Sequence, residues 1–215
     1  MTCVVLGASG SLGTQLLTAI REVGEHAIGV SRGPRPESVG QVEWITVDDY
    51  ENFDPSGLDW TRAFIAFGSF LQSPIVDAAE SEIIEQIRAN LTSQILVVRR
   101  LLSSVQSTAD TRRDIVLVGS TSSYTGFGGS SVYCASKFGL RGFVEAMNSE
   151  WSSTNLRFWL ASMGSMDNEM GRRVPNVVQS HLLSPLEVAR DIVRTVVRET
   201  TAFQPEIVIR RRWIP

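Results

Sequence analysis

The sequence predicts an α/β fold: a doubly wound, mostly parallel sheet of about seven strands with helices on both faces. Two observations carry this. Short β-branched runs recur along the chain, most of them separated by longer amphipathic stretches, and a glycine-rich turn joins the first run to the first such stretch. Strand and helix in alternation close as right-handed crossovers onto a parallel sheet, whose ligand site lies beyond the carboxyl ends of the strands.

The runs read as buried strands are Cys3 to Leu6, Ala27 to Val30, Glu43 to Val47, Ala63 to Phe67, Ile115 to Val118, Arg157 to Ala161 and Glu206 to Ile209. The stretches Leu12 to Val23, Ser81 to Val105, Ser131 to Trp151 and Pro185 to Glu199 repeat apolar residues at three and four, the period of a helix with one buried face. Connections from Ser31 to Gln41 and Asp49 to Trp60 are rich in Pro, Gly and charge and too short for full crossover helices. The segment 162–184, with Gly164, Gly171 and Pro175, reads as the longest irregular loop, placed to cover substrate or cofactor. No repeat, low-complexity tract or linker divides the chain, so residues 1–215 are expected to form one domain.

Composition narrows the class. With 43% hydrophobic residues, 20% charged and a net charge of -3, the chain lacks the basic surplus of a nucleic-acid binder. Arg210, Arg211 and Arg212 read as a solvated end, with interface or phosphate contacts as the lesser alternative. Cys3 and Cys134 form neither a disulfide framework nor a metal knuckle, and His26 and His181 sit in no ligand spacing, so no metal is expected. The chain opens without a secretory signal and contains no apolar run long enough to span a bilayer, which suggests the cytoplasm and no membrane partner.

The turn after the first strand places Gly7, Gly10 and Gly13 three apart, with Ser9, Ser11 and Leu12 between them. A sharp turn favours Gly7, a pyrophosphate approaching the backbone excludes a side chain at Gly10, and close packing of helix on sheet favours Gly13. The helix then presents its free N–H groups and positive dipole end to the phosphate. Where an NAD-binding enzyme carries a carboxylate for the ribose 2′-hydroxyl, this chain has Ser31 and Arg32, suited to a 2′-phosphate. NADP(H) is therefore expected over NAD(H), with Arg35 able to share the role; a plain surface arginine is the alternative.

Tyr133 and Lys137 stand four apart in one helix, so both project from one face. A nearby ammonium favours phenolate and lowers the tyrosine pKa toward neutrality, which would fit the pair for acid-base work; a half-buried Tyr beside a solvated Lys is the plainer reading. Ser120 follows the apolar strand Ile115 to Val118, at a carboxyl end where such sheets keep their ligands. Asn90 falls on the apolar stripe of its helix, where an amide needs either structural partners or a bound water.

Taken together, the glycine turn, Asn90, Ser120 and Tyr133-Cys134-Ala135-Ser136-Lys137 resemble the short-chain dehydrogenase/reductase family, in order and spacing over nearly the whole chain. The resemblance implies a compact Rossmann-type enzyme that moves a hydride between nicotinamide and a small or modest-sized carbonyl or alcohol. It implies Tyr133 as general acid or base, Ser120 as a hydrogen-bond partner of the substrate oxygen, and Lys137 as a ribose ligand that lowers the Tyr133 pKa. Asn90 would hold a water linking Lys137 to solvent, Asp48 would contact adenine, Gly68 would lie near the adenosine ribose, and Gly164 would lie beside the cofactor. A homodimer or homotetramer packed through the helices at Ser81 to Val105 and Ser131 to Trp151 is implied as well.

The chain also departs from the family pattern. The middle glycine stands one position early, the usual Asn-Asn-Ala-Gly reads Ile65-Ala66-Phe67-Gly68 without its sheet-stabilising asparagine, and Met163 and Asn168 replace the usual Pro and Thr. The expected substrate lining is Thr121 to Gly129, with Tyr124 and Phe127, together with the loop from Gly164 to Ser180 and its Arg172 and Arg173. Two other functions remain open on sequence: an NADP(H)-binding sensor or scaffold, and an epimerase or dehydratase retaining NAD.

Overall fold

A computed structural model describes residues 1–105, 111–174, 177–198 and 203–211. Seven strands, β1 (Thr2–Leu6), β2 (His26–Ser31), β3 (Glu43–Thr46), β4 (Arg62–Ile65), β5 (Arg113–Val118), β6 (Leu156–Met163) and β7 (Glu206–Ile209), form one sheet. Their spatial order is β3-β2-β1-β4-β5-β6-β7, and every pairing is parallel. The helices are α1 (Ser11–Glu22), α2 (Glu80–Ile87), α3 (Ser93–Ser103), α4 (Ser131–Glu150), the short α5 (Glu169–Arg172) and α6 (Pro185–Val197).

Strand side chains alternate between two cores, as the period of two requires. Cys3, Val5, Phe64, Val116 and Trp159 face α1 and α6 on one side. Val4, Leu6, Ile65, Ile115 and Leu117 face α3 and α4 on the other. Because both faces are covered, these strands read in sequence as continuous apolar runs. Below the sheet, at the amino ends of the strands, the buried Asp114 carboxylate accepts from Arg157 Nε (2.7 Å), Trp159 Nε1 (2.8 Å) and Arg112 Nε (3.1 Å). Arg62 lies 3.7 Å from the same carboxylate and pairs with Glu25 at 3.1 Å.

All seven expected strands are present, with shifted ends: β4 stops at Ile65 instead of Phe67, while β6 runs on to Met163. The two short connections hold only single 3₁₀ turns, Glu37–Val39 and Tyr50–Asn52. The expectation of one helix from Ser81 to Val105 is corrected, since a five-residue π turn, Arg88–Thr92, separates α2 from α3. There the Ser93 N–H reaches back five residues to the Arg88 carbonyl, so the axis takes in one extra residue at Asn90. The segment 162–184 is more ordered than its composition suggests, with α5, a 3₁₀ turn at Gln179–His181 and a parallel bridge between Met166 and Leu183. Pro175, Glu199 and Arg212, which figure in the sequence expectations, lie outside the described residues.

The strand order reverses direction between β1 and β4, since β1 is followed by β2 on one side and joined by β4 on the other. A crevice opens at such a reversal, because the connections leaving the two strands run to opposite faces.

Candidate active site

A cavity of about 920 Å³ runs along the carboxyl ends of the strands from Arg32 and Tyr50 at one end to Arg210 and Arg211 at the other. Gly7, Gly10, Gly68, Ser120, Tyr133 and Lys137 line it between them. Sheet order alone brings these residues together, since they follow β1, β4 and β5 or start α1 and α4.

The three glycines of the first turn answer to different needs. Gly7 has φ of +87°, and a Cβ on it would meet Phe67 N at 2.7 Å. A Cβ on Gly13 would come within 2.1 Å of the Gly7 carbonyl, so glycine lets α1 press onto the turn. At Gly10 a Cβ would meet only the Gly7 carbonyl, at 3.2 Å, and both Ser9 and Gly10 are exposed on the cavity wall. Protein packing therefore accounts for the outer glycines, while the middle one leaves backbone open to a ligand at the N-terminus of α1, where Ser11 and Leu12 also line the cavity. A dinucleotide diphosphate fits this cradle.

At the far end Arg32 is exposed, lines the cavity and lies with its guanidinium 5.5 Å from the Tyr50 ring centroid. Ser31 is placed differently from the expectation. It is buried and its hydroxyl lies 2.5 Å from that of Ser9, so it braces the glycine turn and does not line the cavity. Asp48 is likewise exposed away from the cavity, and its neighbours Asp49 and Tyr50 take the wall position. Arg88 pairs with Asp49 at 2.5 Å, and this bond helps hold the Asp49 carboxyl below the usual carboxylate range even though burial pushes the other way. Arg35 bonds the Val42 carbonyl and lies off the cavity.

In the middle, Tyr133 and Lys137 leave the first turns of α4, and both are almost wholly buried. The Phe70 ring meets the Tyr133 ring edge-on at 4.9 Å. Lys137 Nζ donates to the Val118 carbonyl at 2.9 Å and stands 5.8 Å from the Tyr133 ring centroid. Burial pulls the Lys137 pKa down to about 8. The expectation that the ammonium lowers the Tyr133 pKa is not met: burial holds the phenol above its ordinary value, and the neighbouring Ser120 hydroxyl opposes this. Ser120 itself accepts the Ser122 N–H at 3.1 Å, capping the 3₁₀ turn at Thr121–Ser123.

Asn90 is fully buried and satisfied within the protein. Its Oδ1 accepts from Ser69 N at 2.8 Å, and its Nδ2 donates to Ser69 O at 2.9 Å and to Ser136 Oγ at 3.3 Å. The π turn points this amide at the segment after β4, which it clamps. Gln94 adds a bond to Phe67 O at 3.0 Å and Gln86 one to Ser69 O at 2.9 Å. Three amides from the α2–α3 region thus hold the segment that departs from Asn-Asn-Ala-Gly. Sequence reasoning missed Gln86 and Gln94; the one available signal was their polarity close to the helix stripe that carries Asn90.

On the loop side, Gly164 and Asn168 line the cavity, and Asn168 Oδ1 accepts the Gly171 N–H at 2.7 Å to cap α5. Phe127 lines the cavity but Tyr124 does not, its ring lying under the Arg141 guanidinium. Arg172 and Arg173 pair with Asp167 and Glu169 and stay off the wall. In the described part of the basic run Arg210 and Arg211 are exposed, as a solvated end requires, and they also line the cavity. Among the described residues no helix is long and apolar enough to cross a membrane.

Comparison with known proteins agrees with this picture. The sepiapterin reductase of Chlorobaculum tepidum is 29% identical over 96 residues, 45% of this chain and 39% of that protein. The Xenopus laevis hydroxysteroid 11-beta-dehydrogenase 1-like protein A is 28% identical over 142 residues, so the match spans less than half, 48%, of that relative. The 3-oxoacyl-[acyl-carrier-protein] reductase MabA of Mycobacterium avium is 28% identical over 199 residues, covering 86% of this chain and 76% of that one. Among solved structures, a short-chain dehydrogenase/reductase from Vibrio parahaemolyticus superposes with a TM-score of 0.83 at 19% identity, over 98% of this chain and 96% of the other. A Burkholderia cenocepacia short chain dehydrogenase in complex with NADP gives 0.79 at 20% identity, over 96% and 86%. A family model described as short chain dehydrogenase matches residues 68–177, from the glycine after β4 through the Tyr133–Lys137 helix and into the loop after β6. More than half of the sequence carries that family pattern on a sheet of the same architecture, and the chain belongs to the short-chain dehydrogenase family.

Proposed function

We propose that this chain is an NADP(H)-dependent oxidoreductase acting on a small or modest-sized carbonyl, with Tyr133 as the general acid. The observation that carries the reading is the convergence in one cavity of the open glycine cradle, Ser120, Tyr133 and Lys137. The nicotinamide supplies the hydride when bound. The chain supplies the rest. Gly10 and the start of α1 hold the diphosphate, and Arg32 holds the 2′-phosphate that distinguishes NADP from NAD.

Ser120 and Tyr133 present their hydroxyls to the substrate oxygen. Both line the cavity, and together they are placed to donate hydrogen bonds to an oxygen that gains negative charge as the carbonyl is reduced. Lys137 lies behind Tyr133, anchored on the Val118 carbonyl, with its remaining N–H donors available for ribose hydroxyls and for returning a proton to the phenolate. Phe70 fixes the plane of the tyrosine ring.

Fluorescence titration with NADPH and NADH, followed by a carbonyl panel, tests the reading. The expected result is NADPH preferred by about tenfold or more, equivalent to about 1.4 kcal/mol, with the preference lost in Arg32→Ala. Tyr133→Phe is expected to bind NADPH as the wild type does and to lose turnover by roughly 10²–10⁴-fold, the range of general-acid contributions. Binding of neither nucleotide would sink the reading and leave a partner-binding protein built on the same fold. Unchanged turnover in Tyr133→Phe would remove the tyrosine from the chemistry.

A further inference from the structure

The cavity is electrically lopsided. Its lining carboxylates, Asp49 and Glu85, stand at the Arg32 end, and both pair with Arg88. Toward the other end the wall of Ser120, Tyr133, Met163, Asn168 and Met170 contains no acid, yet Arg210 and Arg211 face into it. Among the described residues neither arginine has an ion-pair partner. Both are exposed, and neither is needed to neutralise a buried carboxylate.

Their position is set by the sheet. Met163 pairs with Ile209, and the Gly164 N–H donates to the Ile209 carbonyl at 3.0 Å, so the chain leaves β7 directly beside the end of β6. A Cβ on Gly164 would lie 3.8 Å from Arg211 Cγ, which places the arginine stem against the β6 loop. Strands in a sheet are about 4.8 Å apart, so β7 lies two spacings, about 10 Å, from β5 and its Ser120, and four spacings, about 19 Å, from β1 and its glycine turn. The pair therefore stands much nearer the reacting hydroxyls than the diphosphate cradle.

We infer that Arg210 and Arg211 form an anion subsite for the substrate, so that the carbonyl compound reduced here carries a carboxylate or phosphate beyond its reacting carbon. This rests on the oxidoreductase reading of the same cavity and adds the charge class of its substrate. Guanidinium groups suit the role, because their planar forks bind carboxylate or phosphate through paired N–H donors and never lose their charge. The substrate's polar end docks at β7, its apolar middle lies along Met163 and Met170, and its carbonyl reaches Ser120 and Tyr133. A neutral ketone of the same size would leave the two cations without a counter-charge.

Calorimetric titration separates the possibilities. The probes are pyruvate, acetoacetate, levulinate and 5-oxohexanoate with their methyl esters, and dihydroxyacetone phosphate with dihydroxyacetone, each added with and without saturating NADP⁺. At least one anion is expected to bind tenfold or more tighter than its neutral counterpart, and a keto acid or the phosphate leading the series identifies which anion is used. In the Arg210→Gln/Arg211→Gln double variant that preference should fall to within twofold, with NADP⁺ affinity changed less than twofold; Arg210→Lys/Arg211→Lys should keep part of it. No anion preference in the wild type, or a preference surviving in the double glutamine variant, overturns the inference. A fall in NADP⁺ affinity without a change in probe binding also overturns it, by assigning the arginines to the cofactor. Absence of NADP⁺ binding with anion preference intact would instead defeat the oxidoreductase reading and leave the subsite standing.

Discussion

Lys137 shows how function and stability diverge at a single residue. Its ammonium is buried with one carbonyl partner, and its pKa falls from 10.5 to about 8. A lysine held below its ordinary pKa lowers stability wherever the folded protein must still carry the proton. The cost is complete below about pH 8 and disappears as pH rises toward 10.5, where neither state is charged. Lys137→Met in the cofactor-free protein should therefore raise stability near pH 7 by on the order of 2 kcal/mol, after allowing for the lost hydrogen bond. Denaturant titrations should show that gain shrinking between pH 8 and 10, while turnover is lost throughout; a gain independent of pH would place its origin in packing. Tyr133, Lys137 and Ser120 were legible in sequence because helix spacing and strand position fix which way they point. Arg210 and Arg211 were not, because their role depends on β7 lying beside β6, a tertiary pairing that no local pattern states. The placement of Ser31 failed for a related reason: a serine hydroxyl is served equally by a ligand and by Ser9, and the backbone chose Ser9.

At the scale of elements, the π turn at Arg88–Thr92 organises the centre of the cavity. An unbroken α-helix would turn Asn90 by about 100° per inserted residue, away from the segment after β4. Asn90→Ala removes the acceptor of the Ser69 N–H, and the expected cost is about 1–3 kcal/mol in chemical unfolding, the range for leaving a backbone donor unmet. Turnover is expected to fall as well, because Gly68 and Phe70 flank the released residue and Phe70 packs on Tyr133. A variant as stable as the wild type would mean that Gln86 and Gln94 suffice to hold the segment. The helix itself was legible from its apolar period, yet the π turn was not, since one extra residue barely disturbs a pattern of threes and fours. Strands were legible throughout because the sheet is covered on both faces, so their sequences are apolar without interruption; their ends moved by one or two residues because hydrogen bonding to neighbours, not hydrophobicity, decides where a ladder stops.

The whole molecule divides its polar groups between the two ends of the sheet. The cavity occupies the carboxyl ends, while at the amino ends Asp114 joins Arg157, Arg112 and Trp159 beside Arg62. Asp114→Ala would remove the buried carboxylate that Arg157, Arg112 and Trp159 share beside the buried Arg62, and a loss of about 3–5 kcal/mol in unfolding free energy is expected. Cofactor binding by the protein that remains folded should be unaffected, since the network lies at the opposite end of the strands from the cavity. The alternation of strand and helix made the doubly wound architecture readable, and with it the edge where ligands bind; the charge distribution along that edge required the strand order. That order also has a consequence in time. The glycine turn and the strands beside it, β1 and β4, lie within the first 68 residues, whereas the basic end of the cavity follows β7 at residues 206–209. At synthesis rates of about 5–20 residues per second, the two segments leave the ribosome on the order of ten seconds apart. The residues proposed to hold the nucleotide are therefore synthesised well ahead of those proposed to hold the substrate's anion.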